Sequence, residues 1–125
     1  MTSPYDDPDA AIARVQRDIA EAQARAKAAA EVRAAIDRVR GRARSPRGEV
    51  DVEADATGQI TDLQLADAAL LLRPQQLATL IRETIRAATA AAGRLAVTLT
   101  DDAYGEGSAY SARLRAELDA RATAR

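Results

Sequence analysis

The chain has 125 residues, 18 Lys and Arg against 19 Asp and Glu for a formal charge of −1, three tyrosines as its only aromatics, and neither Cys nor His. These absences exclude a disulfide framework and thiolate metal sites and remove the commonest general base and metal ligand, so no metal or other cofactor is expected and the composition argues against an enzyme. One domain's length of chain with a mostly alanine apolar share buries a thin core, which a partner subunit would supplement, and neither a membrane-length apolar run nor a secretory leader is visible in MTSPYDDPDAA, which reads as a cytoplasmic protein with no membrane partner.

Residues 1–8 read as a disordered N-terminus. From Asp9 to about Arg40 the sequence holds strong helix formers with no Gly or Pro, and Asp7 or Asp9 can cap the start. Ile12, Val15, Ile19, Ala22, Ala26 and Ala29 alternate spacings of three and four, then step by three to Val32 and on to Ile36 and Val39. That is a heptad seam with one stammer. A helix of this length spans about 48 Å, more than the domain needs for cover, so part of it projects or pairs. Ile12, Val15, Ile19, Val32, Ile36 and Val39 are the expected dimer-interface residues. Gly41 reads as the helix terminator.

RVRGRARSPR, residues 38–47, concentrates Arg38, Arg40, Arg42, Arg44 and Arg47, and the adjoining stretch 49–67 carries six acids with no Lys or Arg. Residues 42–45 read as a first short strand, turned either by Pro46 and Arg47 or by the four residues Ser45 to Gly48. In GEVDVEADATGQITDLQLA, Val50, Val52 and Ala54 alternate with Glu49, Asp51, Glu53 and Asp55, the period of a strand with one wet face. Thr57 and Gly58 turn the chain into a strand over 59–65, with Leu63 and Leu65 on one face and Ile60 on the other unless a bulge resets the phase. The hairpin register sets Arg44 opposite Glu49, Arg42 opposite Asp51 and Arg40 near Glu53. Two readings of the arginine cluster follow: a charge ladder satisfied within the sheet, or a grip for phosphates in which Arg38 and Arg47, without evident partners, are the better candidates.

Leu70 to Leu72 read as a connection folding back over the core edge. LRPQQLATLIRETIRAATAAAG then gives a helix begun by Pro74, with Leu77, Leu80, Ile81, Thr84, Ile85, Ala88, Ala91 and Ala92 on one face, and ended by Gly93. RLAVTLT, residues 94–100, suits either an added strand or a continuation of the helix, and DDAYGEGS reads as a loop. Ser108 or Ser111 caps a last helix with Tyr110, Leu114 and Leu118 on one face, expected as a weakly docked, solvated appendage. Its functional alternative is a second basic surface or a partner-binding helix. Asp101, Asp102 and Glu106 are the one conceivable carboxylate site, and acids in a Gly-containing loop are ordinarily turn residues.

The order of long helix, three-stranded meander and second amphipathic helix, with the glycine-started strand of alternating valines, the T-G turn, TDLQL followed by an acidic residue, and the P-x-x-L-x-x-L-I helix, resembles the YbaB/EbfC family of bacterial nucleoid-associated proteins, in texture its actinobacterial members. The resemblance covers about residues 9–93 and leaves 94–125 as an extension. It implies an α+β fold, α-β-β-β-α with an extra C-terminal helix, joined into an intertwined homodimer whose long helices project as tweezer-like arms. It further implies binding of double-stranded DNA in the nucleoid, without metal or cofactor. With no helix-turn-helix or aromatic stacking platform, weak sequence preference is expected, and Arg38, Arg40, Arg42, Arg44 and Arg47, doubled in a dimer, are the expected DNA-binding residues. The alternative function is a cytosolic adaptor or chaperone holding helical protein partners, as some actinobacterial relatives sit with type VII secretion systems.

Overall fold

The computed structural model of the chain describes residues 7–105 and 108–123, with Tyr110 described by its backbone alone. The elements are α1 (Pro8–Asp37), β1 (Gly41–Arg44), β2 (Val50–Ala54), β3 (Ile60–Leu65), a 3-10 turn (Asp67–Leu71), α2 (Pro74–Tyr104) and α3 (Ala109–Thr123). This is the expected α-β-β-β-α order with an additional C-terminal helix. The expectation of disorder over residues 1–8 falls mostly outside the described residues. Met1–Arg33 and Ala34–Arg125 form two compact units.

The first unit is helical, and its start is capped by Asp7, whose Oδ1 accepts the Asp9 N–H at 3.0 Å, with Pro8 in the first helical position where its missing N–H costs nothing. No residue of α1 is buried. The helix stops at Asp37, short of the expected Arg40, and Gly41 is not its terminator. The chain tightens instead: the Arg38 N–H is shared between the Ala34 and Ala35 carbonyls, and the Val39 N–H closes a three-residue turn onto Ile36.

The second unit is built on the antiparallel meander β1-β2-β3. The first hairpin pairs Gly41 with Ala54, Arg42 with Glu53, Ala43 with Val52 and Arg44 with Asp51, two residues away from the expected register. The reason is Ser45, which continues the pairing opposite Val50 and leaves the four residues 46–49 as the loop. Its N–H donates to the Val50 carbonyl at 2.8 Å, its Oγ accepts the Val50 N–H at 3.0 Å, and the hydroxyl donates to the Glu49 carboxylate at 3.0 Å. Glu49 is thereby drawn into the turn and buried, and Gly48 takes φ +76 to close it.

In the second hairpin Val52 pairs with Leu63, Glu53 with Asp62, and Ala54 with Ile60. The register shift at Glu53/Ala54 is the bulge that returns Ile60 to the face shared by Leu63 and Leu65. Its turn is held by Asp55, whose Oδ1 accepts from Thr57 Oγ1 at 2.6 Å and from the Thr57 and Gln59 N–H groups at 2.9 Å each. The Thr57 hydroxyl foremost, with the Gln59 and Thr57 amides and the charge of Arg40, holds the Asp55 carboxyl below the usual carboxylate range, against an opposing effect of burial that is second in size only to the hydroxyl's.

Val50, Val52 and Ala54 turn one face of β2 into the core, where they meet Ala88, with Leu77, Leu80, Ile81 and Ile85 packed around them. α2 lies across β1 and β2. Gly41 is the point of closest approach: a Cβ there would collide with the backbone of Ala88 and Ala92. Ala69, rather than the three leucines after it, folds back as a fully buried residue, leaving Leu70 and Leu71 exposed at 75% and 87%.

α2 runs through Gly93 to Tyr104, which corrects the expected stop. Residues 94–100 are helix, and their threonines fit because the Thr98 and Thr100 hydroxyls bond to the carbonyls four residues back, of Arg94 and Ala96. Gly93 serves packing, since a Cβ in its place would stand 3.1 and 3.3 Å from the Leu118 methyls of α3. α3 is capped by Ser108, whose Oγ accepts the Ser111 N–H at 3.1 Å, and it packs back along α2 instead of standing as a solvated appendage, with Ser111 fully buried and Arg115 paired to Asp101 at 2.6 Å.

Gly41→Ala is expected to cost about 3 kcal/mol, the upper end for overpacking, because backbone rather than a flexible side chain must yield. A loss under about 0.5 kcal/mol in urea denaturation would show that α2 does not sit as close as described.

Candidate nucleic-acid interface

The five arginines of residues 38–47 all lie in the unit Ala34–Arg125, where strand parity and the end of α1 give them different surroundings. Arg42 projects from the wet face of β1 into three carboxylates. Its Nε bonds Asp51 at 3.0 Å, its Nη2 bonds Asp62 at 3.1 Å, and its Nη1 stands 3.9 Å from Glu53. Asp62 belongs to β3, a partner the two-strand register had not supplied. Arg44 is looser, 3.8 Å from Asp51 with its side chain 67% exposed, and its guanidinium lies over Gly48.

Arg40 turns back on the end of α1, donating to the Asp37 and Val39 carbonyls at 2.9 and 2.8 Å. A cation at a helix C-terminus is favoured by the unsatisfied carbonyls there. A basic residue within three positions of the helix end was the available signal. Arg38 and Arg47 are exposed, and neither side chain makes an ion pair among the described residues.

The cluster therefore divides. One guanidinium is committed to the sheet, one to a helix end, one is loosely held beside the first turn, and Arg38 and Arg47 remain available to an external anion. Further cations lie on α2, where Arg82, Arg86 and Arg94 are exposed with no ion pair among the described residues. Their spacing of four and eight places them along one face.

Of the expected interface residues, Ile12, Val15 and Ile19 stand 57%, 56% and 50% exposed, Val32 and Ile36 are half-buried, and Val39 is buried at 9% within the chain's own fold. A further group of exposed apolar side chains lies at the sheet edge and beyond it: Leu63 and Leu65, each 43% exposed on the core face of β3 beyond the cover of α2, and Leu70 and Leu71 in the turn that follows. The edge position of β3 was its signal.

Of the conceivable carboxylate site, Asp101 is occupied by Arg115 and Glu106 lies outside the described residues. Among the described residues no three acidic, histidine or cysteine side chains gather where they could hold a metal, and no helix is long and apolar enough to cross a membrane.

Residues 11–106 match the family model described as the YbaB/EbfC DNA-binding family. No curated protein matches the chain.

Arg42→Ala leaves three carboxylates facing one another and is expected to destabilise by about 1 kcal/mol, while Arg47→Ala stays within about 0.5 kcal/mol. Urea denaturation of both variants checks this, and an equal or reversed order would contradict the division of the cluster.

Proposed function

Because the chain belongs to the YbaB/EbfC DNA-binding family, we propose that it is a nucleoid-associated, cytoplasmic homodimer that binds double-stranded DNA with little sequence preference. The observation that carries the reading is the pair Arg38 and Arg47, left without carboxylate partners among the described residues beside a sheet that neutralises Arg42. These two take the phosphates first, Arg44 contributes from its weak contact, Arg40 fixes the segment that carries Arg38, and Arg42 ties β1 to the sheet ahead of the turn that carries Arg47. Nonspecific affinity comes from counterion release by such unpaired cations, and a second copy doubles them.

The dimer is supported by apolar surface. Leu63 and Leu65 extend the core face of the sheet past the cover of α2, Leu70 and Leu71 stand exposed in the turn that follows, and Ile12, Val15 and Ile19 form an exposed stripe on α1. A three-stranded sheet with uncovered leucines at one edge gains by burying them on a second copy. Both surfaces are assigned to self-association, together with Val32 and Ile36 where they remain half-buried.

Titration of random-sequence duplex at increasing salt tests the DNA reading. Binding should weaken steeply with salt, and Arg38→Gln with Arg47→Gln should reduce the slope of log affinity against log salt by roughly one for each arginine on a phosphate, equally on every sequence. Arg42→Gln should leave the slope unchanged; no binding at about 50 mM salt, or an undiminished slope in the double variant, refutes the assignment.

Sedimentation at micromolar concentration should find a dimer that Leu70→Glu with Leu71→Glu dissociates without unfolding, as both side chains are exposed within the subunit. A wild-type monomer would remove the dimer from the proposal.

A further inference from the structure

Where α3 lies back along α2, the two helices and the β2–β3 turn enclose a half-open groove of about 830 Å³. Its apolar lining includes Ile85, Val97 and Leu118, and Gly93 keeps it narrow at the helix contact. On α2 it reaches from Ile85 to Asp101, a run of about 24 Å at the helical rise. Four arginines line it. Arg115 is bound to Asp101, and Arg121 donates to the Ala56 carbonyl at 3.3 Å. Arg86 and Arg94 have no ion pair among the described residues and stand about 12 Å apart along α2. The one other acid of the lining, Asp119, belongs to α3, so the α2 side of the groove is the basic side.

We propose that this groove docks an acidic amphipathic helix of a partner protein. The lining joins apolar side chains to two arginines without an ion pair among the described residues, over about 24 Å of α2, which suits a polypeptide with an apolar stripe and carboxylates better than a small ligand, or than a phosphodiester backbone with no apolar group to bury. Charge complementarity fixes the partner's pattern: an apolar stripe at spacings of three and four against Ile85, Val97 and Leu118, flanked on the α2 side by carboxylates about two turns apart for Arg86 and Arg94. The proposal does not depend on DNA binding, because its residues are separate from Arg38 and Arg47.

The probe is a fluorescein-labelled synthetic helix about five turns long, with a leucine stripe and glutamates at that spacing, and a second in which lysines replace the glutamates. Fluorescence anisotropy with the full chain should give binding of the acidic helix at least about tenfold tighter than of the basic one, and Arg86→Glu with Arg94→Glu should invert that preference. Both side chains are exposed, and circular dichroism confirms the fold of the variant. Arg38→Gln with Arg47→Gln should leave the acidic helix bound while weakening duplex DNA, which separates failure of this proposal from failure of the DNA reading. No binding of the acidic helix, or binding indifferent to the Arg86 and Arg94 reversal, overturns the proposal. Loss of duplex binding in the reversal variant without any helix binding overturns it too, and assigns these arginines to phosphates.

Discussion

Ala88 and Ala92 on α2 sit directly over Gly41 at the start of β1, with no room between the two backbones for a methyl group. The rest of the second unit follows from this contact. A helix this close to a sheet buries Val50, Val52 and Ala54 completely although none is large, so a chain with no Phe or Trp still acquires a dry core. The same closeness limits breadth. α2 covers β1 and β2, and the leucines of β3 and of the following turn are left outside it, so the uncovered surface is a geometric result of a core made from small residues.

The wet face obeys a second constraint, the alternation of the strands. Because side chains alternate, the pairing of Arg42 with Glu53 and of Arg44 with Asp51 puts the even-numbered arginines of β1 on the same face as the odd-numbered acids of β2. Moving the register by two residues changes which acid meets which arginine and leaves the face unchanged. That is why Arg42 is neutralised even though its expected opposite residue was Asp51 and its paired residue is Glu53. Arg38 precedes the strand and Arg47 lies in the turn, so alternation cannot bring either to the ladder.

These particulars show what was readable from the residues. The strands, the start of α2 and its buried face were legible, since period-two valines and a Pro-led amphipathic run encode them locally. The ends were not. Gly41 and Gly93 look like helix stops, yet each is glycine because another backbone or side chain comes close, and that neighbour is distant in sequence. The role of Ser45 in setting the register depends on a buried hydrogen bond to Glu49, which no periodicity signals. Among the candidate phosphate ligands, the availability of Arg38 and Arg47 was legible from the absence of facing acids. The commitment of Arg40 to carbonyls needed the actual end of α1.

A formal charge of −1 looks unfavourable for a member of a DNA-binding family, but net charge sums over groups that no phosphate reaches. Asp101 is balanced by Arg115, whereas Asp51, Glu53 and Asp62 outnumber Arg42 and the loosely held Arg44 and leave a negative excess on the wet face of the sheet. Beyond a Debye length of about 8 Å at physiological salt that excess is largely screened. An approaching duplex responds to exposed cations within that distance, and Arg38, Arg47 and the weakly held Arg44 are of that kind. The arrangement that makes the molecule acidic as a whole therefore also frees specific arginines from local competition. On the proposed reading, phosphate affinity depends on which guanidinium groups the fold leaves without carboxylates, and the pairing of β1 with β2 takes Arg42 out of that set.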